Sequence, residues 1–182
     1  ANNYSAYGDT IFSSTRFGNV LGSRGSVIKV FNDQLSKRKD ITITDKRMSR
    51  FIMTIQESVR LVLAACLLSK GGEIFVPKMK ILKILDLASS MVSIFDLDKS
   101  DVKMKIVGAK GGEKLFEELM TEEETNRALE LDDMFSILPA KGSLEREIRY
   151  NYDGDFKKCN AIGYDTKEGP FMNEKEIIKY IL

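Results

Sequence analysis

The fold class of this chain is indicated most clearly by residues 10–27, TIFSSTRFGNVLGSRGSV. Its first part, Thr10–Arg16, mixes β-branched and small polar residues and predicts a strand. The glycines at 18, 22 and 25 predict a loop with unusual backbone angles or a close approach to a ligand. From Val27 onward, apolar residues recur at helical spacing. The stretch therefore predicts a strand, a loop and a helix in succession.

The chain beyond this stretch keeps alternating between strand and helix patterns. Further strands are predicted at Ile41–Thr44, Phe51–Met53, Glu73–Val76 and Val102–Ile106. Further helices are predicted behind the capping box Thr54–Glu57, over Ile84–Phe95, behind the capping box Thr121–Glu124 as far as Leu131, and after Asn173. This order of elements predicts an α/β domain.

The composition is that of an ordinary globular domain. The chain has 182 residues, a net charge of +1 and no histidine. The length is enough for a sizeable core, and the charge gives no broad surface for nucleic acid or an anionic membrane. No apolar run reaches the ~18 residues of a membrane span, and no signal-peptide pattern is present. We therefore expect a cytoplasmic protein without nucleic-acid or membrane partners.

The two cysteines suggest neither a metal site nor a disulfide, because no CxxC spacing or ligand cluster surrounds them. Cys66 shares one face of a predicted helix with Ile55, Val59 and Val62. This spacing predicts that Cys66 is a small core residue. The absence of histidine excludes His-based acid–base or metal chemistry within the chain.

Three places could bind an anion, and each has an alternative interpretation. The loop around Asn19 offers amides and nearby arginines to a phosphate or diphosphate, or is only a tight crossover with solvated arginines. Arg50 precedes an apolar strand, where a charge is usually just solvated. Lys110 and Glu113 stand at a strand-to-helix junction, which can hold an anion or sugar hydroxyls. Alternatively, Glu113 only interacts with the helix dipole.

Four blocks of sequence carry a resemblance to a known family: STRFGNVLGSRGSVIKVF from Ser14, ITITDKRMSRFIMT from Ile41, GGEIFVPKM from Gly71 and GEKLFEELMTEEE from Gly112. They resemble UDP-N-acetylglucosamine 4,6-dehydratases of the extended short-chain dehydrogenase/reductase superfamily, which serve capsule, O-antigen and pseudaminic acid synthesis. The resemblance implies the C-terminal part of a Rossmann-like fold, with the last strands of its parallel sheet and a small α/β substrate-binding domain.

The resemblance also implies roles for individual residues. Asn19 would hydrogen-bond the UDP diphosphate, and Arg50 and Lys110 would neutralise it. Lys110 stands where related enzymes have arginine, so it lacks the bidentate fork. Glu113 would bind the ribose hydroxyls. Contacts to the uracil would come from Ser26, Val27 and the backbone around Thr42 and Ile43, and contacts to the nicotinamide end of the cofactor from Phe17 and Gly18.

The resemblance divides the chain into three consecutive ranges. Residues 1–25 would end the Rossmann-like core, residues 26–140 would form a mixed substrate-binding region with returning Rossmann elements, and residues 141–182 would form a C-terminal wrap and final helix. The chain has neither a GxxGxxG turn nor a Tyr-x-x-x-Lys pair. We therefore assign no catalytic residue and expect an inactive fragment, with NADP (or NAD) bound mainly by a missing N-terminal half.

The implied intact enzyme is an NADP-dependent lyase, and we expect it to be a homo-oligomer. It would remove water from a UDP-N-acetyl-hexosamine, with or without inversion at C5. Two alternatives stay open. A UDP-N-acetylglucosamine 4-epimerase of the same superfamily would share the diphosphate contacts, and a non-catalytic nucleotide-sugar binding module would need no cofactor turn.

Overall fold

The structure is a computed structural model that describes residues 9–23, 25–38, 40–98, 100–109, 111–140, 148–152 and 157–182. Its helices are α1 (Val27–Ser36), α2 (Ile55–Leu68), α3 (Ile84–Ile94), α4 (Glu122–Thr125) and α5 (Glu174–Ile181). Its strands are β1 (Ser14–Thr15), β2 (Asn19–Val20), β3 (Ile41–Ile43), β4 (Ser49–Met53), β5 (Ile74–Pro77), β6 (Lys80–Lys83), β7 (Met104–Ile106), β8 (Glu118–Met120), β9 (Ala128–Glu130), β10 (Met134–Ile137), β11 (Lys157–Lys158) and β12 (Tyr164–Asp165). The predicted α/β class is confirmed.

Unit 1, the first of two compact units, comprises the chain up to Phe17, Ile55–Lys78 and Glu118–Asp165. Its main sheet has the order β1-β5-β10-β9-β11, in which β1 runs parallel to β5 and the other pairs are antiparallel. Strands β8 and β12 form a separate pair. Alternate apolar residues of these strands form the core of the unit, because successive side chains of a strand point to opposite faces.

Unit 2 comprises Gly18–Thr54, Met79–Glu117 and Thr166–Leu182. It contains a three-stranded sheet of order β2-β4-β6 and the parallel pair β3-β7. Helices α1, α3 and α5 share one apolar core with these strands. Phe31 and Leu35 lie four residues apart on α1, so both face that core.

Helix α2 differs from its sequence prediction in the face that it buries. Leu61 and Ala65 are the buried residues, whereas Ile55, Val59 and Val62 are 58%, 50% and 42% exposed. Cys66 is exposed as well, so its predicted core position is wrong. The periodicity identified an apolar face, but the packing of unit 1 uses the neighbouring one. Cys159 is buried.

The predicted helix from Thr121 to Leu131 is also wrong in its extent. The capping box is present, since Thr121 accepts a hydrogen bond from the Glu124 N–H and Glu124 accepts one from the Thr121 N–H. The helix nevertheless ends at Thr125, because Ala128–Glu130 pairs with β10 as strand β9. A sheet partner distant in sequence therefore overrides the local helix pattern.

The compact units differ from the three consecutive ranges expected from the sequence. Each unit is assembled from three separated segments, because the chain passes between the units several times. The assignment of those ranges to a Rossmann-like core and a substrate-binding region stays a prediction. Among the described residues, no helix combines the length and apolar character that a membrane span requires.

Candidate substrate-binding cavity

Unit 2 contains a cavity of about 320 Å³. Its wall comes from β2 and the following loop, the first turn of α1, strands β3, β4 and β6, the start of α3, and Glu113. Apolar side chains such as Ile52 and Leu82 lie beside polar ones such as Asn19 and Arg50. An apolar lining with a few polar groups is typical of small-molecule sites, which measure about 300–1,000 Å³.

Asn19 is positioned by the parallel pairing of β2 with β4, where it lies opposite Ile52. The preceding Gly18 allows this approach, because a Cβ atom there would lie 2.6 Å from Met79 Sδ and 2.9 Å from the Phe51 carbonyl oxygen. The amide orientation that satisfies both side-chain atoms places Asn19 Nδ2 2.9 Å from Glu117 Oε1 and 3.2 Å from Oε2. Asn19 is thus held by Glu117 at the cavity wall.

Arg50 is fixed along one side of its guanidinium group. Its Nη1 donates to the carbonyl oxygens of Ser49 at 2.7 Å and Leu115 at 3.2 Å, and its Nε lies 3.6 Å from Glu117 Oε1. The side chain is only 14% exposed. Within the described part of the chain, Nη2 makes no hydrogen bond. The guanidinium is therefore anchored and keeps donor capacity for a ligand.

Glu117 contacts both Asn19 and Arg50. Its carboxylate accepts a hydrogen bond from the Phe51 N–H at 3.1 Å, in addition to its contacts with Asn19 and Arg50. Its own backbone N–H donates to Thr166 Oγ1 at 2.9 Å. Burial raises the pKa of the Glu117 carboxyl, and the Phe51 N–H and the Arg50 charge only partly offset that effect. Glu117 is not among the residues that line the cavity.

The N-terminus of α1 contributes Ser26 and Val27 to the cavity. Ser26 is the N-cap residue with an extended backbone, but its side chain makes no capping hydrogen bond. Its Oγ is buried and finds no hydrogen-bond partner among the described residues. The first backbone amides of a helix likewise lack intrahelical partners.

Thr42 and Ile43 belong to β3, which pairs in parallel with β7. Gln34 fixes Thr42, because its Nε2 donates to Thr42 Oγ1 at 2.8 Å and its Oε1 accepts from the Thr42 N–H at 3.1 Å. Ile43 is buried in the core of unit 2. Glu113 lies in the loop behind β7, and its exposed side chain reaches the same cavity.

The structure thus brings seven of the eight predicted substrate-binding residues to one cavity. These are Asn19, Ser26, Val27, Thr42, Ile43, Arg50 and Glu113. The eighth, Lys110, lies outside the described residues. The gathering of these residues is a geometric finding, and their individual roles toward a ligand stay predictions.

The two residues predicted to approach a cofactor are not among the residues that line this cavity. Phe17 belongs to unit 1 and is 44% exposed, and Gly18 belongs to unit 2. The close packing of Met79 and Phe51 explains the missing side chain of Gly18 without any ligand. The cofactor contacts of Phe17 and Gly18 therefore stay a prediction. No group of acidic or cysteine residues that could hold a metal ion occurs in the described ranges.

Arg16 differs from the expectation that arginines of its loop serve an anion. It forms a bidentate ion pair with Glu124 inside unit 1, at 2.7 and 2.8 Å. The other arginine near that loop, Arg24, lies outside the described residues. The sequence pattern alone does not distinguish a loop arginine that binds phosphate from one that pairs with a carboxylate distant in sequence.

Glu117 and Thr166 were not among the residues predicted from the sequence. Glu117 stands in the block GEKLFEELMTEEE, of which only Glu113 was a predicted site residue. Glu117 and Glu118 are adjacent carboxylates, and nothing in the sequence says which one faces inward. Thr166 is fully buried, yet it lies in a segment without clear periodicity, so no sequence signal indicated it.

Comparison with known proteins adds the family. A family model described as polysaccharide biosynthesis protein matches residues 1–139. The chain belongs to this family. It is 44% identical to an uncharacterized membrane protein of Methanocaldococcus jannaschii, over all of this chain and 52% of that protein.

Two relatives of this polysaccharide biosynthesis family member have enzyme names. An inverting UDP-N-acetylglucosamine 4,6-dehydratase of Campylobacter jejuni is 33% identical over all of this chain and 54% of its own length. A UDP-glucose 4-epimerase of Rickettsia bellii is 36% identical over 95% of this chain and 50% of its own length. Enzymes that modify sugar nucleotides are therefore among its relatives. The chain spans about half the length of the curated relatives it matches.

A solved structure confirms the predicted fold. The X-ray structure of Pen from Bacillus thuringiensis matches with a TM-score of 0.85 and 38% identity, covering 98% of this chain and 52% of that one. The chain has the α/β fold of the C-terminal part of an extended short-chain dehydrogenase/reductase.

Proposed function

We propose that the cavity of unit 2 binds the UDP portion of a nucleotide sugar. The observation that carries this proposal is the convergence of Asn19, Arg50, Ser26 and Glu113 on one cavity. A guanidinium, amide and hydroxyl donors and a carboxylate together match the chemistry of a diphosphate and a ribose. The volume of about 320 Å³ suits a small-molecule ligand.

Arg50 supplies the positive charge for the diphosphate. Its Nη1 and Nε are engaged by backbone carbonyls and Glu117, whereas Nη2 remains for a phosphate oxygen. Because the side chain is 14% exposed, little water competes for that donor. Asn19 adds an amide nitrogen with two hydrogens, one of which is enough to bond Glu117.

The N-terminus of α1 supplies further donors on the same cavity. The orphaned Ser26 Oγ gains a partner when a uracil or phosphate oxygen reaches it. Glu113 lies on the same cavity as an acceptor for sugar hydroxyls. We assign the ribose to Glu113 and the uracil to Ser26, Val27 and the backbone of Thr42 and Ile43.

We propose further that the whole protein is a UDP-N-acetylglucosamine 4,6-dehydratase of polysaccharide or flagellin-glycan synthesis, a cytoplasmic homo-oligomer. The dehydratase relative from Campylobacter jejuni, 33% identical over all of this chain, supports this choice. The cofactor, NADP or NAD, would be held mainly by polypeptide beyond these 182 residues. The part played by this chain is to bind the nucleotide so that the sugar is held at a fixed position.

A second candidate is a UDP-sugar 4-epimerase. The relative from Rickettsia bellii, 36% identical over 95% of this chain, favours it. Both reactions require the same contacts to the nucleotide, so the cavity suits either enzyme. Product analysis separates them, because a dehydratase releases water from the sugar and an epimerase yields an isomer of unchanged mass.

Isothermal titration calorimetry with UDP-N-acetylglucosamine tests the binding proposal. We expect the 182-residue chain to bind this ligand and UDP, but uridine far more weakly, because uridine lacks the diphosphate. Arg50→Ala should weaken binding by about 1.5–3 kcal/mol, the value of a charged hydrogen bond.

Arg47→Ala is the matched control. Arg47 is also in unit 2, but its side chain is 69% exposed and pairs with Asp45 at 2.8 Å. Its removal should leave the dissociation constant within about twofold, as for surface ion pairs. Equal losses for Arg47→Ala and Arg50→Ala, or equal affinities for UDP and uridine, would contradict the proposal.

A further inference from the structure

We propose that Glu117 is a positioning residue for the nucleotide-sugar site, holding Asn19 and Arg50 in the arrangement that receives the diphosphate. This inference rests on the proposed function of the cavity. It concerns a residue that does not line the cavity itself but contacts two residues that do.

The Glu117 carboxylate contacts residues of two strands, β2 and β4. Asn19 Nδ2 from β2 lies 2.9 Å from Oε1 and 3.2 Å from Oε2. From β4, the Phe51 N–H donates to Oε2 at 3.1 Å, and Arg50 Nε lies 3.6 Å from Oε1. A carboxylate offers two acceptor oxygens to the Asn19 amide and the Phe51 N–H and a negative charge to Arg50. A neutral amide cannot do this, because it carries no charge and one of its two atoms is a donor.

Glu117 is itself held rigidly by the segment that begins at Thr166. Thr166 Oγ1 accepts the Glu117 N–H at 2.9 Å, and the Glu117 carbonyl accepts the Thr166 N–H at 2.8 Å. Ser49, next to Arg50, donates its hydroxyl to the Thr166 carbonyl at 2.5 Å. The carboxylate therefore has a fixed origin from which to orient Asn19 and Arg50, as precise binding sites require.

A partly buried carboxylate behind an anion site has a cost, and the pKa of Glu117 reflects it. Burial raises that pKa despite the charges of Arg50 and Lys114. Retaining a group that is unfavourable to ionise is characteristic of functional positions. Near a bound diphosphate, the negative charge would also repel the ligand. If Glu117 positions Asn19 and Arg50, removal of its charge should weaken ligand binding. If Glu117 only repels the diphosphate, removal of its charge should strengthen ligand binding.

The test compares Glu117→Gln with Glu118→Gln. Both remove one carboxylate charge, but the Glu118 side chain is exposed and lies on β8 of unit 1. With UDP-N-acetylglucosamine in calorimetry, we expect Glu117→Gln to weaken binding about tenfold or more, as for the loss of a charged hydrogen bond. Glu118→Gln should change the affinity less than about twofold. The diphosphate diester of this ligand does not titrate near neutral pH, so ligand protonation does not interfere.

The contact between Glu117 and Asn19 can also be measured by NMR spectroscopy without ligand. The side-chain amide signals of Asn19, assigned in nitrogen-15 NMR spectra with Asn19→Asp, should shift as Glu117 is protonated. Arg50 and Lys114 are the charged groups that act on the Glu117 carboxyl. In Glu117→Gln the Asn19 signals should not titrate, and in Glu118→Gln they should titrate as in the wild type.

The outcomes distinguish the positioning role of Glu117 from the proposed nucleotide binding by the cavity. Wild-type binding that Glu117→Gln leaves unchanged or strengthens overturns the positioning role alone. Asn19 signals that do not respond to Glu117 overturn it as well. Failure of the wild-type chain to bind UDP-N-acetylglucosamine or UDP overturns the proposed function, and with it the purpose assigned to Glu117.

Discussion

Arg16 and Glu124 form a bidentate ion pair inside unit 1. Arg16 Nη1 lies 2.8 Å from Glu124 Oε2, and Nη2 lies 2.7 Å from Oε1. Arg16 Nη1 also donates to the Leu119 carbonyl at 2.5 Å, while Glu124 accepts from the Thr121 N–H at 3.0 Å. The pair connects residues 108 positions apart and joins the end of β1 to the capping box of α4.

Loss of this pair should destabilise the chain. Glu124→Gln keeps an acceptor for the Thr121 N–H but removes the charge opposite Arg16, so we expect unfolding to become easier by roughly 1–2 kcal/mol. The lower part of the range applies because Arg16 is 32% exposed. Calorimetry should show this as a lower Tm. The control is Glu123→Gln, whose side chain is 72% exposed and whose pair with Arg127 contributes about 0.3–0.5 kcal/mol. Equal Tm values for the two variants would argue against a structural role of the Arg16 pair.

Glu124 and Glu117 should give opposite pH dependences of stability. The hydrogen bonds from Arg16 lower the pKa of Glu124 below its usual 4.5, so its stabilisation is complete above 4.5 and is lost as the pH falls through the lowered value. Burial raises the pKa of Glu117 above 4.5. The folded state binds that proton more tightly, so stability increases as the pH falls through the raised value.

Thermal unfolding from neutral pH to about pH 3.5 measures these two slopes. The Tm advantage of the wild type over Glu124→Gln should shrink as the pH falls. The Tm of the wild type relative to Glu117→Gln should instead rise. Two differences that change in the same direction would contradict the environments described for these carboxyl groups.

Gly18→Ala should destabilise unit 2 by about 1–3 kcal/mol, the cost of overpacking. Its added Cβ would lie 2.6 Å from Met79 Sδ and 2.9 Å from the Phe51 carbonyl oxygen, and the backbone oxygen cannot move away easily. Gly111→Ala is the control, because no atom lies within 4 Å of the added Cβ there. Denaturant titration of both variants gives the comparison. A Gly18→Ala chain as stable as the control would refute the tight packing of β2 against β4.

The proposed contact between Glu113 and the ribose predicts a dependence on the sugar hydroxyls. Glu113→Ala should reduce the affinity for UDP about tenfold or more, since a carboxylate accepting from hydroxyl groups forms charged hydrogen bonds. The affinity for the 2′,3′-dideoxy analogue of UDP should hardly change, which makes the analogue an internal control. Competition titrations against both nucleotides measure the difference. Parallel losses for the two nucleotides would assign Glu113 another role.

The sequence predicts those elements whose signals are local. Helices α1 and α3 follow from apolar spacing, and α5 begins after Asn173 as predicted, where the structure shows a capping box of Asn173 and Glu176. The predictions that failed concern residues whose structure depends on contacts distant in sequence. Residues 128–130 become a strand because β10 lies beside them, and the Cys66 face of α2 is exposed because unit 1 packs against Leu61 and Ala65 instead.

For the cavity, the sequence identified candidates but not their arrangement. Asn19, Arg50 and Glu113 were recognised through resemblance, because pattern alone left each with a structural alternative. Glu117 could not be found in this way, since only the folded backbone distinguishes it from the adjacent Glu118. The orphaned Oγ of Ser26 is likewise a property of the packed chain, which no spacing rule predicts.

A crystal structure of the chain with UDP would show whether the cavity of unit 2 is the nucleotide site. We expect density for UDP in this cavity, with diphosphate oxygens within hydrogen-bond distance of Asn19 Nδ2 and Arg50 Nη2, and the uracil beside Ser26 and Val27. A nucleotide bound elsewhere, or placed in the cavity without contact to Asn19 and Arg50, would contradict it.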